Sequence, residues 1–185
     1  MKNYKKVIPN MLTLINLSLG VVAILLSCQG QRNISINLLI NSSLLIMLAA
    51  VTDRFDGKAA RHFDVVSDFG KELDSLSDLI SFGVAPIIVA WKISFMQWGV
   101  IGYLLPIIFP VAGAYRLARY NVTPFNNVFQ GIPITIAGLF LTIVNLYNAF
   151  SLLTKRTVVF NPYFMLALII FLSYLMISKL SIKKV

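Results

Sequence analysis

The chain has 185 residues, of which 58% are hydrophobic and only 12% charged, with a mean hydropathy of +0.81. Soluble domains carry about 25% charged residues, so the composition excludes an ordinary water-soluble domain and predicts one integral membrane unit, residues 1–185. The net charge of +9 does not predict a nucleic-acid partner, because the basic residues flank apolar runs, as the positive-inside rule and anionic lipid headgroups require.

A membrane-spanning helix needs about 20 apolar residues, and the first such run is Ile8 to Cys28. The basic start MKNYKK precedes it with no small-residue cleavage site, so this span is expected to be retained. Pro9-Asn10 and Thr13 stand at its opening, where such residues often cap a helix. Cys28 is the only cysteine, which excludes an intrachain disulfide, and it reads as inert packing. After a turn at Gly30 to Asn33, a second span starts near Ile34 and carries Asp53 and Asp56 in its last turns. His62 to Ser67 reads as a polar loop. A third helix runs from about Asp68 to Trp91, with Asp74 and Asp78 in its polar first half and a kink expected at Pro86. Further spans are expected over Trp98 to Tyr120, Ile132 to Phe150 and Val158 to Ile177. The fold class predicted is therefore all-α, an integral membrane bundle of six transmembrane helices.

Placing both termini in the cytoplasm puts Lys2, Lys5, Lys6, Arg54, Lys58, Arg61, Lys71, Arg116, Arg119, Lys179, Lys183 and Lys184 on that side. Only Arg32, Lys92, Lys155 and Arg156 fall on the other. This asymmetry sets the expected orientation, a multi-pass protein of the cell membrane with Asp53 to Asp78 facing the cytoplasm.

Every acidic residue lies between Asp53 and Asp78: Asp53, Asp56, Asp64, Asp68, Glu72, Asp74 and Asp78. An ionisable side chain at membrane depth costs roughly 2.5–3.5 kcal/mol on insertion scales, so such a cluster is a functional candidate. Asp53 and Asp56, three apart, share a helix face, which Gly57, Ala60 and Arg61 continue. Gly70, Asp74 and Asp78 repeat at intervals of four and form a second stripe. Two such stripes face to face would present four carboxylates, an oxygen-only set suited to Mg²⁺ or Mn²⁺ rather than zinc. Paired divalent ions are a standard device for phosphoryl transfer. Helix-end charges paired with Arg54, Lys58, Arg61 and Lys71 would account for one or two of these carboxylates only. Asp64, Asp68 and Glu72 lie off both stripes and read as solvated or helix-capping residues. His62, the only histidine, has no second histidine or cysteine near it and reads as a loop residue.

Asp53, Asp56-Gly57, Ala60-Arg61, Gly70, Asp74 and Asp78 fill all eight positions of D-x-x-D-G-x-x-A-R-x8-G-x-x-x-D-x-x-x-D. In this the chain resembles the CDP-alcohol phosphatidyltransferases. The runs IPNMLTLINLSLG, SDFGKELDSLSDLISFGVAP and RLARYN followed by FQGIP are similar to the membrane-embedded phosphatidylserine synthases within that family. FQGIPIT departs from the pattern, which would have a second proline near Thr135. The resemblance implies transfer of a phosphatidyl group from CDP-diacylglycerol to L-serine, by a homodimer, with two divalent ions held by Asp53, Asp56, Asp74 and Asp78. It implies Asp78 as the catalytic base, and Asn10, Thr13, Gly57, Ala60, Arg61 and Gly70 as the CDP-diacylglycerol site. Glycines at Gly57 and Gly70 serve helix packing equally well. Arg116, Arg119 and Asn121 are read either as markers of topology or as the acceptor site, where arginine suits a planar carboxylate. Glycerol-3-phosphate or an inositol phosphate is the alternative acceptor. An intramembrane prenyltransferase and a cation transporter are the rivals from other classes.

Overall fold

A computed structural model describes residues 2–29, 35–62, 67–122, 128–155, 160–178 and 181–183. In hydrocarbon every backbone polar group must be satisfied internally, which favours long helices, and helices dominate here. They are α1 (Lys2–Cys28), α2 (Ile36–His62), α3 (Asp68–Asp78), α4 (Ala85–Ala90), α5 (Gly99–Leu104), α6 (Ile108–Val122), α7 (Ile134–Leu153) and α8 (Pro162–Ile177). One short antiparallel pair departs from the all-α expectation. It joins β1 (Val128–Gln130) to β2 (Ser181–Lys183), with Phe129 opposite Ile182.

Four described stretches are long and apolar enough to cross a membrane: Pro9–Cys28, Ile36–Lys58, Asp68–Val122 and Ile134–Leu153. The apolar helix α8 is shorter. The 55 residues of Asp68–Val122 would reach about 80 Å as one straight helix, far beyond a bilayer core of roughly 30 Å. They double back instead. Gly99 takes φ +59°, and Trp91 meets Tyr103 with ring centroids 5.2 Å apart. Gly83 faces Pro110, and Gly113 faces Leu79 and Ile134, so the arms run antiparallel with glycines at the crossing.

Where a kink was expected at Pro86, a π-helical turn, Leu79–Val84, stands just before α4. Proline donates no backbone hydrogen bond, and in the widened turn before it the Ala85 N–H reaches back five residues to the Ile80 carbonyl. Two other expectations change. The helix begins well before Pro9, and Thr13 sits within it, near enough to the Pro9 carbonyl to donate to it, so Thr13 is not a helix cap. Cys28 is exposed rather than packed.

Buried hydroxyls are largely satisfied within their own helices. Ser27, Ser43, Thr142 and Ser173 each donate to the carbonyl four residues back, as expected where no water is present. Large apolar side chains such as Val100, Ile136, Ile143 and Phe171 point outward. The interior is filled by Phe82, Phe95, Phe109, Leu141 and Met165.

Candidate active site

Helix α1 is the post against which the acidic helices are set. From one side the Thr13 hydroxyl donates to Asp56 Oδ2 of α2 at 2.9 Å. On the other, Ser77 of α3 donates to the Thr13 carbonyl at 3.1 Å, and Ser81 to the Asn16 carbonyl at 3.0 Å. A Cβ built on Gly20 would overlap Ser81, so glycine lets α1 and the π turn approach closely. These contacts fix the depth of α2 and α3 relative to each other.

The result is a cluster of three carboxylates. One oxygen from each of Asp53, Asp56 and Asp74 lies within 4.8 Å of the others. Asp56 is only 4% exposed, and Asp53 and Asp74 are half-buried. Asp78 lies outside this trio, one turn below Asp74, with its carboxyl against that of Asp53. Its Oδ1 is buried with no hydrogen-bond partner, while Oδ2 receives the Thr135 hydroxyl at 3.4 Å. Lys71 pairs with Asp68 at 3.4 Å, and Arg116 is close enough to Asp78 for their charges to attract. Buried anionic oxygens without partners are costly. An all-oxygen set of this kind fits a hard divalent cation such as Mg²⁺ or Mn²⁺.

Beside the carboxylates lies a cavity of about 480 Å³, within the usual range for small-molecule sites. Asp74 and Asp78 form one wall, Arg116 and Asn121 another, and Thr135 sits at the start of α7. Arg116 is 8% exposed, with its Nε buried and without a partner and its guanidinium 5.9 Å from the Tyr120 ring. Asn121 donates to Glu72 Oε1 at 3.2 Å and to Ser75 at 3.0 Å, which ties α6 to α3. Glu72 is thus a partner of Asn121 rather than a cap. The cap of α3 is Ser67, whose hydroxyl accepts from the Gly70 N–H at 3.1 Å.

The sequence-predicted residues are therefore divided. Asp53, Asp56 and Asp74 come together, with Asp78 just below. Arg116 and Asn121 line the cavity. Arg119 does not: its guanidinium donates to the carbonyls of Ile177 and Ser178 at 3.0 and 3.5 Å, holding the end of α8. Asn10 Oδ1 lies beside Gly70, 3.5 Å from where a Cβ would stand, and Gly57 is exposed on α2. The backbone of Ala60, Arg61 and His62 continues α2, and their side chains lie outside the described residues, as does Asp64. Lys71, Ser75, Tyr120, Pro133 and Thr135 also line the cavity, although the sequence reading assigned none of them to the site. Ser75 follows Asp74 directly and Thr135 follows Pro133 by two, so adjacency to the motif and to FQGIP was their only signal.

Residues 6–179 match the family model described as CDP-alcohol phosphatidyltransferase. The chain is similar to the CDP-diacylglycerol--serine O-phosphatidyltransferase of Bacillus subtilis (strain 168), with 33% identity across 94% of this chain and 88% of that protein. It resembles the protein of the same name from Helicobacter pylori (strain ATCC 700392 / 26695), 32% identical across 93% of this chain and 70% of that one. An archaetidylserine synthase from Methanothermobacter thermautotrophicus is 35% identical across 82% of this chain and 65% of that protein. With the family model covering nearly its whole length, the chain belongs to the CDP-alcohol phosphatidyltransferases.

Proposed function

We propose that this protein transfers the phosphatidyl group of CDP-diacylglycerol to the hydroxyl of L-serine, giving phosphatidylserine and CMP. The single observation that carries this reading is the junction at Asp74, which belongs both to the carboxylate trio and to the cavity holding Arg116. The names of the similar proteins from Bacillus subtilis and Helicobacter pylori support serine as the acceptor.

Asp53, Asp56, Asp74 and Asp78 would hold two divalent ions, Mg²⁺ or Mn²⁺. Such ions supply charge neutralisation at the diphosphate and at the departing CMP. The chain's own residues do the rest. Asn10, Thr13, Gly57, Ala60, Arg61 and Gly70 form the nucleotide side of the reading, with Thr13 also orienting Asp56. Arg116 receives the serine carboxylate, bidentately where geometry allows, and Asn121 shapes the same wall. Asp78 takes the proton of the serine hydroxyl. That oxygen forms a bond to the phosphorus bearing the diacylglycerol, and the bond from this phosphorus to the CMP oxygen breaks, its electron pair leaving with CMP.

The two arms of Asp68–Val122, counted separately together with α8, make six spans. The basic residues clustered near the acidic site support a cytoplasm-facing site in the cell membrane. Homodimerisation belongs to the same reading and rests on the family resemblance. The deciding experiment measures CMP release from CDP-diacylglycerol with serine, glycerol-3-phosphate and inositol phosphate in turn. Serine alone should support turnover; release with a phosphorylated acceptor and none with serine would overturn the choice of acceptor.

A further inference from the structure

Helix α7 packs in parallel alongside the π turn Leu79–Val84 and α4, and three contacts on one face of α7 fix the register. Thr135 donates to Asp78 Oδ2 at 3.4 Å. Three residues on, Gly138 lies so close to Phe82 that a Cβ would overlap its carbonyl. Two turns further, Asn145 donates to the Pro86 carbonyl at 2.8 Å. Residues 135, 138 and 145 of α7 thus meet 78, 82 and 86 in the same order. Neither helix can slide without breaking the glycine contact and the buried asparagine bond.

This register places one hydroxyl against one oxygen of the fourth carboxylate. Asp78 Oδ1 is buried with no partner and Asp78 lines the cavity, so a carboxyl held only at its Asp53 side could rotate about its terminal torsion, which is broad for aspartate. We infer that Thr135 is a positioning residue for Asp78: by donating to Oδ2 its hydroxyl limits the rotation of the carboxyl that faces the acceptor hydroxyl. The inference rests on Asp78 being the base. It concerns turnover rather than substrate capture.

The test compares Thr135→Val, which keeps the shape and removes the donor, with Thr135→Ser, which keeps the donor, in purified protein with CDP-diacylglycerol and serine. Valine should lower kcat roughly tenfold, the weight of one hydrogen bond to a charged group, with CDP-diacylglycerol binding unchanged. Serine should restore kcat to within about twofold. Where valine prevents folding, Thr135→Ala serves in its place. Wild-type kcat in the valine or alanine variant, or equal loss in the serine variant, overturns the inference. Asp78→Asn, assayed in parallel, separates the two levels. An active Asp78→Asn protein removes the base itself, whereas an inactive one beside a fully active Thr135→Val protein removes only the role of Thr135.

Discussion

Arg116 and Arg119 lie three residues apart on α6, yet the structure assigns them opposite fates. Arg116 is buried at the cavity wall with a free Nε, whereas Arg119 is turned to the carbonyls that end α8. Removing a charge-assisted hydrogen bond costs about 1.5–3 kcal/mol. At 1.36 kcal/mol per decade, Arg116→Ala should lower kcat/KM for serine about 10- to 150-fold, mainly through KM. Arg116→Lys keeps the charge but loses the planar fork, so an intermediate loss is expected. Arg119→Ala should leave the serine KM within about twofold, since its hydrogen bonds to the carbonyls at the end of α8 contribute about 1 kcal/mol each, and to stability. The assay is CMP release in detergent micelles at fixed CDP-diacylglycerol and varied serine, with thermal unfolding measured on the same preparations. An unchanged serine KM in Arg116→Ala would refute the assignment. So would a rise in Arg119→Ala equal to that in Arg116→Ala.

Three further expectations follow from the same geometry. Chelation with excess EDTA should stop CMP release and Mg²⁺ or Mn²⁺ should restore it; undiminished release under chelation would remove the metal assignment. Thr13→Val strips Asp56 of its 2.9 Å donor, and loss of a group that orients a ligand costs metal affinity roughly 10- to 100-fold. A metal titration of activity should show that rise in half-saturating Mg²⁺, and an unshifted curve would leave Thr13 a packing residue. Gly138→Ala forces a methyl into the Phe82 carbonyl, an overpacking that costs about 1–3 kcal/mol. It should lower both the unfolding midpoint and kcat, because α7 also carries Thr135; a variant as stable and active as the wild type would contradict the tight helix crossing.

The legible part of the site was the part encoded by local spacing. Asp53 with Asp56, and Asp74 with Asp78, are set three and four apart, and helix geometry alone places each pair on one face. Apolar run length likewise marked the helices, and Pro86 marked a departure from α geometry, here the π turn before α4. Beyond the meeting of the two aspartate stripes, what could not be read was which side chains join distant segments. Thr13 is 43 residues from Asp56, Thr135 is 57 from Asp78, and Arg119 is 58 from Ile177. Arg116 and Arg119 share a motif and a helix in the sequence. Only the packing of α8 against α6 decides that one guanidinium faces the cavity and the other a helix end.

The charge balance of the cavity bears on which alcohol it admits. Asp74 and Asp78 stand on one wall, and the cations that line it are Arg116 and Lys71. Lys71 is exposed and already paired with Asp68 at 3.4 Å, so Arg116 is the buried cation available to an incoming anion. A zwitterionic amino acid asks for one guanidinium at its carboxylate and brings its own positive charge toward the aspartates. A phosphorylated alcohol would bring two negative charges and no positive one to a wall with a single buried guanidinium, the divalent ions proposed at the aspartates being taken up by the diphosphate. One buried arginine matches the first and only half the charge of the second, so on the proposed assignment Arg116 favours serine over its phosphorylated rivals.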